Sequence, residues 1–212
     1  DARSTEMDDF TPVDWSKWRD ALHEALTSAG GDQERQINYL RDAHHGAVFR
    51  LLVADLDGRF AVERLADQLS ALADAVIAEV LDLAWASLPN HPDEPPKFAV
   101  IGYGNLDIVF LYDDPNPDAD VIYSRLVRRM MSMLTVQTSS GKLFDVDLRL
   151  RPNGENGLAV CSFEMFSRYQ RNMDGNGAWL WEHQALTRAR FVAGDPELGR
   201  RFEQERAEIL RM

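Results

Sequence analysis

The segment 143–151, LFDVDLRLR, alternates strictly between apolar and charged residues, and successive strand residues face opposite sides of a sheet. Phe144, Val146, Leu148 and Leu150 therefore share one face, while Asp145, Asp147, Arg149 and Arg151 share the other. A second run, 105–112, divides in the same way, with Leu106, Ile108, Phe110 and Tyr112 opposed to Asn105, Asp107, Val109 and Leu111. Asp107 is the anomaly, because an unpaired carboxylate inside an apolar strand is costly to bury and calls for a cation. If the two strands are neighbours, Asp107 and Asp147 converge on one face, with Asn105 and Asp145 nearby. Oxygens held on rigid strands are what magnesium accepts, water and phosphate oxygens completing its octahedron. Arg149 and Arg151 would then meet phosphate or pair with the acids. The same pattern also fits an internal Asp–Arg ladder without metal, and alternation alone leaves both readings open. Gly102-Tyr103-Gly104 suits a turn that brings backbone close to a phosphate, and equally a tight turn between strands.

These residues need elements to hold them. FAVIGY (98–103) reads as a buried strand, 105–112 as another, and 143–151 as a third ended by the turn chemistry of PNGENG (152–157). DDPNPDAD (113–120) is a loop, and 121–136 a helix carrying Ile122, Leu126, Val127, Met130, Met133 and Leu134, with Arg128-Arg129 on its wet side. The C-terminal part reads as helices over about 162–172, 178–192 and 195–211. Upstream, LPNHPDEPPK (88–97) has four prolines in ten residues, which cannot continue a helix and mark a boundary. Before it lie three amphipathic helices expected to form a bundle. The first is capped by Asp14 and carries Trp15, Trp18, Leu22 and Leu26. The second starts at Asp32 and turns Ile37, Leu40, Val48, Leu51 and Leu52 inward. The third carries Leu65, Leu69, Leu72, Val76, Val80 and Leu83. The expected organisation is a helical segment over 1–90, a sheet core over 97–160 and C-terminal helices over 161–212.

Several residue types invite a chemical reading that their spacing does not support. His44 and His45 are adjacent, so on a helix they diverge, and they read as solvated. Asp55-Leu56-Asp57-Gly58 lacks the later oxygen ligands of a calcium loop and reads as a turn. Met130, Met131 and Met133 read as core, and Trp179 and Trp181 as packing residues. The composition of the 212-residue chain is that of an ordinary globular protein, 45% hydrophobic and 27% charged. With 23 Lys+Arg against 35 Asp+Glu, its net charge of −12 opposes general nucleic-acid binding. A single cysteine, Cys161, excludes an internal disulfide framework. No apolar run reaches the roughly 18 residues of a membrane helix, and no signal pattern opens the chain, so a cytoplasmic location is expected.

FAVIGYG, LDIVFLYDD, TSSGKLFDVDLRLRPNGENG and WLWEHQALTRARFVAGDPEL together resemble the bacterial glutamine synthetase adenylyltransferase/deadenylylase family, over about 35–212. The resemblance implies an α+β nucleotidyltransferase domain of the DNA-polymerase-β-like superfamily, with flanking helices. It implies ATP as substrate, magnesium (two ions) as cofactor, and glutamine synthetase and a PII signal protein as partners. The Gly102-Tyr103-Gly104 opening, Thr138-Ser-Ser-Gly141 and Trp181-Glu-His-Gln-Ala-Leu186 are similar to the C-terminal half. In the family that half transfers AMP to a tyrosine of glutamine synthetase, whereas the N-terminal half removes it by phosphorolysis. Carried over by position, Asp107 matches the second metal aspartate of a D-x-D pair and Asp147 the third carboxylate. Gly102, Gly104, Arg149 and Arg151 fall to nucleotide or substrate binding. His183 is assigned a structural hydrogen bond, since enzymes of this type need no histidine base. The chain departs from the pattern at one place: Gly104 runs directly into Asn105, without the glycine-rich phosphate loop. Asn105 stands where the first metal aspartate belongs. The alternatives are the deadenylylating half, or a catalytically silent regulatory domain that binds glutamine synthetase or a PII protein.

Overall fold

The computed structural model describes residues 13–89, 92, 94–104, 107–138, 141–148, 152, 158–173, 175 and 177–212. The chain divides into two compact units, one of residues 1–79 with 137–143, the other of residues 80–136 with 144–212.

The first unit is built on α1 (Trp15–Ser28), α2 (Gln33–Leu56) and the first part of α3 (Val62–Ala86). Asp14 and Asp32 cap α1 and α2 as their sequence positions demand, accepting from the amides of Lys17 at 3.2 Å and Arg35 at 3.1 Å. Gly58, at φ +69°, completes the turn after α2. Leu22, Leu26, Leu40, Leu51, Leu72 and Val76 are buried as their periodicity requires. Three expectations fail here, the first being Leu69 of α3, which is 40% exposed. Leu52 is 50% exposed, because the buried stripe of α2 runs through Leu40, His44, Ala47, Leu51 and Ala54, leaving Leu52 off it. His44 lies on that stripe and is buried rather than solvated; its neighbour His45 is exposed.

The second unit is a four-stranded mixed sheet in the order β3-β2-β1-β4, with helices. β1 (Phe98–Tyr103) and β2 (Asp107–Tyr112) are antiparallel neighbours in the register Phe98↔Tyr112 to Tyr103↔Asp107. β3 (Val160–Ser162) pairs in parallel with the second half of β2, and β4 (Ala189–Gly194) pairs antiparallel with β1. Parallel neighbours need a long crossover, and α4 (Ala119–Thr135) supplies it after β2. The face bearing Phe98, Phe110 and Tyr112 meets Tyr123 of α4 in a set of stacked rings with centroids 5.1–5.7 Å apart. The opposite face, with Ala99, Ile101, Tyr103, Val109 and Leu111, packs against Phe166 of α5 (Phe163–Gln170), Leu186 of α6 (Leu180–Leu186), and Leu198 and Phe202 of α7 (Pro196–Ile209). Each such aromatic or leucine removed from water contributes about 1.5–3 kcal/mol.

The helix expected over 178–192 is two elements: α6 stops at Leu186 and the chain becomes β4. Four of the six residues of the fourth strand, 189–192, thus come from a stretch expected to be helical. In 143–151 the described residues form an extended segment with one bridge, at Asp147, rather than a full strand. No helix among the described residues is long and apolar enough to cross a membrane.

Candidate nucleotidyltransferase site

Asp107 is the first residue of β2. It is paired with Tyr103 of β1 on one side and joined by a parallel bridge to Asp147 on the other. The amide of Ile108 donates to the carbonyl of Asp147 at 2.9 Å. Residues bridged across adjacent strands project to the same face, so the two carboxylates issue from one side of the sheet. That side is also the one bearing Tyr103 and Val109. Both aspartates are half-buried, and each also interacts with other groups of the chain. Asp145, two residues before Asp147, is exposed. The segment carrying Asp147 is held at its start by the amide of Phe144, which donates to the carbonyl of Leu134 at the end of α4, at 3.1 Å. A helix end and a strand edge therefore fix the position of this acid.

Tyr103 and Cys161 are both held in their neutral forms by burial. The Tyr103 hydroxyl is buried without a partner among the described residues, and burial pushes its phenol far above the ordinary value, with Cys161 and Glu182 adding to the effect. It stays protonated and neutral. Burial also pushes the Cys161 thiol up to about 12, which removes it as a nucleophile. His183 makes the structural contact expected of it: its Nε2 donates to the carbonyl of Gln170 at 3.0 Å. Trp179 and Trp181, expected to pack, are instead 70% and 52% exposed, because they open a short helix whose buried positions are Glu182 and Leu186. Glu182 accepts from the Tyr169 hydroxyl and from the amide of Trp179, capping that helix from within.

The glycines separate. Gly104 sits in the turn after β1 at φ +57°, a left-handed conformation that favours glycine. Gly102 lies buried inside β1, where a Cβ would stand 2.9 Å from Cγ2 of Val192 on β4, so packing between strands explains it. Asn105, Arg149 and Arg151 lie outside the described residues. The spacing places Arg188 in a helix, yet it sits at the entrance to β4 with its guanidinium over Gly104. A signal for this was present in the alternation of Ala189, Phe191 and Ala193 ahead of Gly194. Alanine and arginine are good helix formers, and they mask it.

A small mixed sheet backed by helices, with two aspartates brought side by side at one end, defines an α+β domain of nucleotidyltransferase type. The model of the glutamate-ammonia ligase adenylyltransferase family matches residues 4–205, and this chain belongs to that family. It is similar to the bifunctional glutamine synthetase adenylyltransferase/adenylyl-removing enzyme of Neisseria meningitidis serogroup A, with 47% identity over 211 residues, 94% of this chain and 23% of the relative. The enzyme of the same name from Ralstonia nicotianae is 47% identical over 209 residues, covering 93% of this chain and 22% of the relative. That of Bordetella bronchiseptica is 51% identical over 192 residues, covering 85% and 20%. The chain thus spans only a fifth to a quarter of the length of these curated relatives.

Proposed function

We propose that this domain transfers AMP from ATP to a tyrosine of glutamine synthetase, with release of pyrophosphate. The observation that carries the reading is the parallel bridge between Asp107 and Asp147, which puts two carboxylates on one face at the end of the sheet. The direction of transfer rests on the likeness of Gly102–Gly104, Thr138–Gly141 and Trp181–Leu186 to the adenylylating half of the family.

The donor set suits magnesium: hard carboxylate oxygens, half-exposed, fixed on strand-like backbone, with room in their chemistry for water and phosphate oxygens. Asp107 and Asp147 would hold it, with Asn105 contributing at most one neutral oxygen. Bound there, magnesium supplies charge neutralisation of the triphosphate and of the departing pyrophosphate. In the transfer, the tyrosine oxygen attacks the α-phosphorus in line. A new O–P bond forms, the bond from the α-phosphorus to the bridging oxygen breaks, and that oxygen leaves with pyrophosphate. The phenolic proton passes to Asp147, assigned to the attacking side. Gly104 lets the backbone turn close to the phosphates, and Arg149 and Arg151 contact phosphate or partner protein. A cytoplasmic location and a PII partner acting on the full-length enzyme belong to the same proposal.

Asn105 favours a second reading, a catalytically silent domain that retains the fold and binds glutamine synthetase. Incorporation of labelled AMP into glutamine synthetase separates the two. We expect incorporation by the wild-type chain and none above background by Asp147→Ala with an unchanged circular dichroism spectrum. No labelling by the wild-type chain refutes transfer, and equal labelling by the variant refutes the role of Asp147.

A further inference from the structure

Arg188 is the last residue before β4, and it differs from three other arginines of this sheet unit. Arg171 is held by Glu205 and Glu208, Arg201 by Asp113, and Arg206 by Glu203 and two main-chain carbonyls. Among the described residues the Arg188 side chain has no such carboxylate, although the chain carries 35 acids against 23 bases. Its exposed guanidinium instead lies over the side of Gly104 where a Cβ would stand. A Cβ there would meet Nη2 at 3.2 Å, Cζ at 3.3 Å and Nε at 3.6 Å. Three atoms of one plane at nearly equal distance mean that the group lies flat across the glycine, which leaves its N–H edges directed outward in that plane.

The strand register places this cation. Tyr103 is paired with Asp107 on β2 and with Ala189 on β4, so one row across the sheet joins the acid to the residue that follows Arg188. Gly104 and Arg188 are each one step beyond that row, at the sheet end where Asp107 and Asp147 stand. Two strand spacings, about 10 Å, separate the backbone of β4 from that of β2, a gap that an arginine side chain and a polyphosphate together span. A planar fork of donors at the sheet end that also carries two carboxylates suits an anion that spans between them, the carboxylates through a cation and the guanidinium directly.

We propose that Arg188 binds the β- and γ-phosphates of ATP, holding the leaving pyrophosphate at the end of the sheet opposite to the tyrosine. This rests on the reading of the domain as an ATP-dependent nucleotidyltransferase. Gly104 then has two tasks, the left-handed turn and the bare surface on which the guanidinium rests.

Calorimetric titration of the 212-residue chain with Mg-ATP and with AMP tests this, using wild type, Arg188→Ala, Arg188→Lys and Arg200→Ala. Arg200 lies exposed on α7 beside Glu197 and controls for loss of one positive charge. The expected result is a loss of ATP affinity on the order of tenfold or more in Arg188→Ala. A smaller loss is expected in Arg188→Lys, which keeps charge without the fork, and unchanged AMP affinity in both. Arg200→Ala should match wild type. Equal ATP affinity in wild type and Arg188→Ala overturns the proposal, as does an equal loss in Arg200→Ala or a parallel loss of AMP binding. If Arg188→Ala is unfolded by circular dichroism, Arg188→Lys decides on the same criteria. A wild-type chain that binds no Mg-ATP overturns the parent reading as well, and the wild-type titration alone reveals it.

Discussion

Asp107 and Asp147 lie 40 positions apart in the chain, yet their backbones form one parallel bridge, closed by the hydrogen bond from the Ile108 amide to the Asp147 carbonyl at 2.9 Å. The bridge is isolated: the same edge of β2 pairs with β3 only from Phe110 onward. The acidic pair thus occupies the beginning of a strand edge whose later part is closed by a different segment. Such an arrangement leaves the carboxylates half-exposed while their main chain is fixed, the combination that a charge-handling site requires.

The bridge predicts an asymmetry between two neighbouring acids. Asp107→Asn should lower AMP transfer on the order of a hundredfold or more, comparable with removal of a preorganised electrostatic group elsewhere. Asp145→Asn, altering an exposed carboxylate outside the bridge, should leave transfer within a few-fold of wild type. Rates of labelled AMP incorporation check both, and equal losses would show that the bridge does not single out Asp107.

Gly194 controls the seam between β1 and β4. At φ +109° it occupies a region that side chains avoid, and a Cβ would stand 2.0 Å from the carbonyl oxygen of Phe98. Gly194→Ala must therefore displace backbone, and a loss of about 3 kcal/mol or more is expected in urea denaturation. Retention of wild-type stability would mean that the strands separate here without cost.

His44 should make stability depend on pH. Burial, with a smaller contribution from His45, lowers its pKa from 6.5 to about 4 in the folded chain. The unfolded chain takes up the proton near 6.5 and the folded chain only near 4, so stability is full above pH 6.5 and declines as pH falls toward 4. The loss reaches about 3 kcal/mol at most. His44→Gln should flatten this window in urea titrations at pH 7.5 and 5, and an unchanged slope would rule His44 out as its source.

Glu205 acts in a lower window. The Arg171 side chain donates to both of its carboxylate oxygens, at 2.7 and 3.0 Å, and holds its pKa below the ordinary 4.5. The contribution is present above pH 4.5 and is lost as pH falls through the depressed value. Glu205→Gln should be less stable than wild type at pH 7, and the gap between their melting temperatures should close on acidification below 4.5. A gap that persists would show that shape, not charge, carries the contribution.

Periodicity and cap residues alone determined much of this protein. Helix faces through Leu22 and Leu26 or Leu72 and Val76, the caps at Asp14 and Asp32, the strand 98–103, a second strand within the expected 105–112, and the separation of Asp107 from its apolar neighbours all follow from local spacing and side-chain chemistry. The motifs resembling the adenylyltransferase family were legible as well, since they are runs of adjacent residues. Tertiary structure decided what depends on partners distant in the chain. Ala189–Gly194 is a strand because β1 offers an edge, against the helix preference of its alanines and arginine; β3, at three residues, is too short to announce itself. His44 is buried and Trp179 and Trp181 are exposed because neighbouring elements, not residue type, set which positions water reaches. Alternation assigned Asp107 and Asp147 each to a face of its own strand; only the parallel register that follows α4 made those faces one.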